Sequence, residues 1–177
     1  MTDPKRHHPG RRTGIGMLTA SLALGLLMLT WFFDSVLENQ SNPNTRPVAQ
    51  HLEGGVVEIQ LTRNRQGHYV VSGLINQTPA TFLLDTGATD VVIPAALAQQ
   101  AGLQQGLPGQ AMTANGVVTI YATRVPTLQI ADMRLYDVRA SINPAMQGDM
   151  VLLGMSALRH VEFSQRGDTL TLRLFPD

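Results

Sequence analysis

The chain has 177 residues, with 13 Lys and Arg balanced by 13 Asp and Glu, and no cysteine. Lack of cysteine excludes a disulfide framework and a thiolate metal site. From residue 56 onward eight arginines and no lysine face nine acids, a near-neutral balance without the electrostatic footprint that nucleic acid requires.

The first element is apolar. Lys5, Arg6, Arg11 and Arg12 lie in a basic leader, residues 1–14, ahead of Ile15 to Phe33, nineteen residues without a charge. At about 1.5 Å per residue a helix of this length nearly crosses a hydrocarbon layer of ~30 Å. Trp31, Phe32 and Phe33 fall where an interfacial aromatic belt is expected. Basic residues in front, and Asp34 and Glu38 behind, predict a cytoplasmic amino terminus and an extracytoplasmic remainder. A cleaved signal peptide would have a core of about 7–15 apolar residues closed by an A-x-A-like site. This sequence has neither feature, so residues 15–33 read as an uncleaved single-pass anchor. In a Gram-negative cell that places the remainder on the periplasmic face of the inner membrane.

Residues 34–55 are rich in Asn, Gln, Pro and Ser and read as a linker. Residues 56–177 then form one domain, too short for two. Val56–Leu61 and His68–Ile75 flank a turn at Asn64–Gly67, a hairpin signal. Asn76–Pro79 turns the chain into the strand that leads to Asp85. Pro94–Ala101 reads as a short helix stopped by Gly102. Asn115-Gly116 is the preferred dipeptide of a two-residue hairpin, with Val117–Val125 returning from it. Further strands are predicted at Thr127–Ile130, Leu135–Ile142, Met150–Leu153, Val161–Ser164 and Thr169–Leu174, with a short helix at Met155–His160. Many short strands with regular turn signals predict an all-β fold, a small closed barrel or sandwich.

Asp85-Thr86-Gly87 is the feature that carries chemistry. It closes the apolar run Thr81–Leu84 and is followed by Ala88, Thr89 and a second apolar run, Val91–Ile93. A carboxylate where a buried strand breaks into a turn is costly unless it is paired or hydrogen-bonded. About seventy residues later comes Val151-Leu152-Leu153-Gly154-Met155. His51, His68 and His160 lack metal-ligand spacing, so neither metal nor cofactor is expected. Asn76-Gln77-Thr78 matches a glycosylation sequon, a short pattern of low specificity.

Together, Phe82–Thr89 and Val151–Met155 resemble the retropepsin-like aspartic proteases, in particular a bacterial membrane-anchored branch with D-T-G-A-T and L-L-G-M motifs. The resemblance implies an acid-protease fold over residues 56–177, with a psi-shaped crossing and a flap hairpin. It implies that Asp85 is the catalytic carboxylate and that Thr86 bonds across to its copy on a partner chain. Gly87 would bring its amide to the carboxylate, with Ala88 and Thr89 completing the loop. Thr113, Ala114, Asn115 and Gly116 would form the flap over substrate. Leu152, Leu153 and Gly154 would support the loop from beneath. The chain departs from the retroviral pattern at Thr89 and at Met155-Ser156, where an Asp and an Arg would form an ion pair.

One such aspartate supplies half of an acid pair. Two carboxyl groups about 3 Å apart share one proton, one activating water while the other protonates the carbonyl oxygen. A twofold homodimer brings Asp85 to its own copy. Asp90, Asp132, Asp137, Asp149 and Asp168 lack the strand-Thr-Gly setting and read as solvated turn or strand-end residues. Val91, Ile93 and Val117 are expected to shape apolar subsites. The sequence thus predicts a membrane-anchored homodimeric aspartic endopeptidase acting on polypeptides, favoured by mildly acidic pH. Its rivals are a catalytically silent peptide-binding or dimerisation domain of the same fold, and a structural β-domain on a membrane stalk.

Overall fold

The computed structural model describes residues 10–113 and 116–176. The chain forms two compact units, Met1–Glu38 and Asn39–Asp177. Most of the first is a single helix, α1 (Gly10–Ser41), built from the strong helix formers Leu, Ala and Met. Its stretch Gly16–Phe33 buries nothing. The hydroxyls of Thr19, Ser21 and Thr30 donate to the carbonyls of Gly16, Met17 and Leu26 at 3.0, 2.8 and 2.6 Å. Such back-bonding satisfies each hydroxyl within the helix itself.

The second unit is strand-rich. In chain order it comprises β1 (Ala49–His51), β2 (Val57–Thr62), β3 (Val70–Ile75), β4 (Thr78–Leu84), β5 (Val91–Pro94), α2 (Ala95–Gln100), β6 (Pro108–Thr113), β7 (Gly116–Ile130), β8 (Met133–Asn143), β9 (Met150–Leu153), α3 (Met155–Leu158), β10 (Glu162–Arg166) and β11 (Thr169–Leu174). A four-stranded sheet runs β1-β2-β11-β10, and a seven-stranded sheet runs β3-β4-β9-β5-β8-β7-β6. β3 also pairs with β7 at Leu74↔Gln129 and Ile75↔Leu128, which curls the larger sheet towards a barrel. Ile59, Leu61 and Leu172 from the smaller sheet join Phe82, Val91, Ile93, Ile142 and Val151 from the larger in one buried core.

Three expectations change. Asn64–Gly67 does form a turn, with the Asn64 side chain accepting the amides of Gln66 and His68 at 3.1 and 2.8 Å. Its flanking strands do not pair, however: β2 bonds β1 and β11, while β3 bonds β4 and β7. A turn signal fixes the local backbone, not the sheet that each arm enters. Next, Pro126 does not divide the strand. β7 runs through it as fifteen residues, and the ladder to β8 resumes at Thr127↔Tyr136. Proline has no N–H to offer Asp137 opposite it, and the Arg124 Nη2 donates to the Asp137 carbonyl at 3.0 Å instead.

The supposed linker is also structured. Asn42 and Asn44 are buried, and the Asn44 amide donates to the carbonyls of Thr62 and Val70 at 2.9 and 2.7 Å and accepts the Thr62 amide at 2.8 Å. Residues 42–44 therefore clasp the end of β2 to the start of β3, and β1 adds an edge to the small sheet. Asn76 is likewise structural: its side chain donates to the Ala101 carbonyl at 3.0 Å and accepts the Thr127 amide at 3.1 Å.

One buried acid predicts how the fold responds to pH. Glu58 on β2 is 6 % exposed. Gln60 Nε2 donates to it at 3.0 Å and Arg173 Nε at 2.7 Å. These bonds, Gln60 foremost and then Arg173, hold the carboxyl below the ordinary glutamate value. A lowered folded-state pKa adds stability that is complete above the unfolded value of about 4.3 and disappears as pH falls through the folded value. Thermal melts of the full chain in detergent should lose stability across that acid window. Glu58→Gln should flatten that part of the curve, and an unchanged acid limb would remove Glu58 from the account.

Candidate active site

The loop between β4 and β5 holds Asp85 at the point where β9 separates the two strands. β9 runs parallel to β4, with Leu83↔Leu152 and Leu84↔Leu153, and meets β5 antiparallel at Val92↔Leu152. The strands on either side of the loop thus straddle a third, which is the psi-shaped crossing. Asp85 donates its amide to the Leu153 carbonyl at 3.2 Å, and the Ala88 amide closes the turn on the Asp85 carbonyl at 3.2 Å. The Gly87 amide donates to Asp85 Oδ1 at 2.9 Å. A Cβ on Gly87 would lie 3.2 Å from that oxygen, so the missing side chain is what lets the amide reach the carboxylate freely.

Beyond Asp85 the loop rests on residues 154–156. The amides of Met155 and Ser156 donate to the carbonyls of Ala88 and Thr89 at 2.8 and 2.9 Å. A Cβ on Gly154 would lie 2.2 Å from the Asp90 carbonyl oxygen and 2.6 Å from that of Ala88. Both obstacles are backbone atoms, so glycine is the residue that permits this approach.

An open cleft of about 650 Å³ lies over the loop. Asp85 and Gly87–Asp90 form one wall, Gln110–Thr113 and Ile120 of the β6–β7 hairpin another, and Ser141, Asn143 and Met146 a third. Thr113 and Gly116 close the hairpin, with the Thr113 hydroxyl donating to the Gly116 carbonyl at 2.8 Å. Ala114 and Asn115, the expected flap tip, lie outside the described residues. The expected subsites are corrected by strand parity. Val91 and Ile93 face the core with no exposure, while Val92 between them lines the cleft together with Leu152 and Ile120. Val117 is exposed and is not among the residues that line the cleft.

Thr86 points elsewhere. It is exposed and borders a second concavity of about 360 Å³, shared with Tyr69, Leu84, Leu158, Phe163 and Leu170. Leu84 and Thr86 thus border one hollow while Asp85 and Gly87 border the other. The Tyr69 hydroxyl is buried and lacks a hydrogen-bond partner among the described residues.

Two groups beside the loop escaped sequence reasoning. Asp90, read as solvated, is partly buried and ion-paired: Arg139 Nε and Nη2 both reach its Oδ1 at 2.7 Å. Ser156, noticed only as a departure from a retroviral arginine, is buried and accepts the Val91 amide at 2.9 Å. Neither contact is legible without the parallel register Val91↔Ala140 between β5 and β8, which sets Arg139 beside Asp90. The other aspartates have partners too: Asp132 with His51, Asp137 with Arg124, Asp168 with Arg63, and Asp149 with the Thr81 hydroxyl. Among the described residues, Asp85 and Asp90 are the acids lining the cleft, and Asp90 is held by its arginine.

A strand ending in Asp-Thr-Gly, crossed by a Leu-Leu-Gly strand beneath a hairpin, defines the retropepsin-like aspartic protease fold. Residues 71–160 match the family described as "gag-polyprotein putative aspartyl protease", and the chain belongs to that family. A crystal structure of a retropepsin-like aspartic protease from Rickettsia conorii is similar over 73 % of this chain and 94 % of its own, with a TM-score of 0.56 and 24 % identity. The EIAV protease in complex with the inhibitor HBY-793 is 25 % identical over 56 % of this chain and 92 % of its own, with a TM-score of 0.44. A Sinorhizobium protein, "Uncharacterized protein in cobV 5'region", is 28 % identical over 123 residues, 67 % of this chain and 53 % of that protein. The chain therefore spans about half the length of that curated relative.

The backbone approach at Gly154 is directly testable. Gly154→Ala should destabilise the second unit by about 1–3 kcal/mol through overpacking against atoms that cannot rotate away. Chemical denaturation measures this, and a variant as stable as the parent would show that the two backbones are further apart than described.

Proposed function

We propose that the protein is a membrane-anchored aspartic endopeptidase in which Asp85 and its copy on a second chain form the catalytic pair. The observation that carries this reading is the Asp85 loop: a carboxylate accepting the Gly87 amide at 2.9 Å at the foot of an open cleft. Within one chain this carboxylate has no uncommitted acid beside it in the described cleft, because Asp90 is paired with Arg139. Peptide hydrolysis by this chemistry needs two carboxyl groups sharing a proton, one to activate water and one to protonate the carbonyl oxygen. A twofold dimer supplies the second acid by symmetry. Activity then favours mildly acidic pH, where the pair retains that proton.

Support for a second copy comes from the hollow behind the loop. Its exposed Thr86 and its apolar side chains suit coverage by another chain. Thr86 would bond its counterpart there. Beside it, β10 is an edge strand exposed along its whole length, with backbone groups free to pair. Substrate would lie as an extended strand in the cleft, under the β6–β7 hairpin as flap and above Leu152, Leu153 and Gly154 as support. The apolar, internally satisfied stretch Gly16–Phe33 supports a single membrane span with the basic leader in the cytoplasm. The catalytic unit would then occupy the periplasmic side of the inner membrane.

Peptide-library cleavage between pH 4 and 7, with wild type beside Asp85→Asn, tests the chemistry. The expected result is cleavage by wild type, and loss of at least about a thousandfold in the variant with its fold and dimer retained. A wild type that binds peptides and cleaves none returns the silent binding domain. Subunit exchange tests the shared site separately. With a ninefold excess of Asp85→Asn chains, wild-type activity should fall roughly tenfold, because nearly every wild-type chain then sits in a mixed dimer. Undiminished activity would mean that one chain suffices.

A further inference from the structure

Among the described residues, the Asp85 carboxylate takes one hydrogen bond, from the Gly87 amide. Its direction therefore depends on the peptide frame of residues 85–91, and among the groups that hold that frame is one buried hydroxyl on its far side. Ser156 is 2 % exposed. Its Oγ accepts the Val91 amide at 2.9 Å and donates to the Arg139 carbonyl at 2.6 Å. Its own amide donates to the Thr89 carbonyl at 2.9 Å. The hydroxyl is thus inserted between β5 and β8 at the first rung of their parallel ladder, Val91↔Ala140.

Arg139 is held from two sides. Ser156 takes its carbonyl in the interior, and Asp90 takes its guanidinium at the surface, with Nε and Nη2 each 2.7 Å from Oδ1. Residues 89, 90 and 91 are consequently each fixed, through backbone or side chain, to a neighbour outside the loop. A serine is suited to this place because one small hydroxyl both accepts and donates. Alanine would leave the Val91 amide and the Arg139 carbonyl without that bridge.

We propose that Ser156 is a positioning residue for Asp85, acting through Val91, Thr89 and the Arg139–Asp90 pair and touching neither substrate nor water. The inference rests on the aspartic-protease reading above. It predicts a defect in the chemical step, since a reacting group displaced by a fraction of an ångström loses rate while the cleft still binds. A serine that merely satisfied buried backbone groups would change the folded fraction and leave turnover per folded dimer intact.

The test uses the full chain in detergent and a fluorogenic peptide, chosen from a library because wild type cleaves it. kcat and KM are measured per folded dimer, with sedimentation and circular dichroism giving that fraction. Ser156→Ala should lower kcat by about 10- to 100-fold with KM within about threefold. Ser156→Thr, which restores the hydroxyl, should recover most of the loss. Amide exchange across residues 86–91 should quicken about tenfold in the alanine variant and stay unchanged in the β10–β11 hairpin. If Ser156→Ala does not fold, Arg139→Met serves in its place, with kcat expected to fall about three- to tenfold at constant KM. A kcat within twofold of wild type in the variant that folds overturns the proposal, as does a loss that follows only the folded fraction. A wild type that cleaves no peptide overturns the protease reading and this inference with it, whereas an active wild type and an equally active variant overturn this inference alone.

Discussion

The backbone at Gly154 runs so close to that of Ala88 and Asp90 that no side chain fits between them. A Cβ at position 154 would sit 2.2 Å from the Asp90 carbonyl oxygen, and the next two amides bond the Ala88 and Thr89 carbonyls. That approach follows from β9 lying between β4 and β5, because a strand threaded between the two arms of a loop must pass beneath its tip. With the loop held from below, the Gly87 amide can present itself to the Asp85 carboxylate in a fixed direction. An exposed turn without such support would have to order its own residues at an entropic cost of about 1–2 kcal/mol each. The buried ladder of β4, β9 and β5 offsets that cost here, and the acid is the product of the crossing rather than of its own tripeptide.

Much of this was legible in the sequence because it is local. Asp85-Thr86-Gly87 between two apolar runs announces a turn with a carboxylate, and Leu152-Leu153-Gly154 announces a buried strand with a bare end. Both stretches stand where those patterns placed them, as does α2 between Pro94 and Gly102. What could not be read depends on register. Asp90 looked solvated because nothing in the sequence aligns it with Arg139, 49 residues away. Ser156 looked incidental because its value lies in Val91 and Arg139 being neighbours across it. Val91 and Val92 differ in fate only through strand parity, which a short apolar run without alternation does not reveal.

Composition misled in one region. Residues 34–55 have the polar, proline-containing character of a flexible connector, yet two asparagines there are buried and fully engaged. Asparagine can imitate a strand's donor and acceptor with its side chain, so a polar segment can still be integral to a fold.

The proposed function rests on symmetry, since among the described residues the cleft holds one uncommitted acid and the proposed hydrolysis requires two. Among the described residues Asp85 and Asp90 are the acids lining the cleft, and Asp90 is clamped by Arg139; Asp137 and Asp168 are ion-paired elsewhere, and Asp132 and Asp149 meet the His51 ring and the Thr81 hydroxyl. The most direct measurement is the separation of the two Asp85 side chains in a crystal of the active assembly. The account predicts carboxyl oxygens of the two chains about 3 Å apart, with the Thr86 side chains meeting behind them. Asp85 residues standing far apart in every symmetric pairing, in protein that nonetheless cleaves peptides, would contradict it.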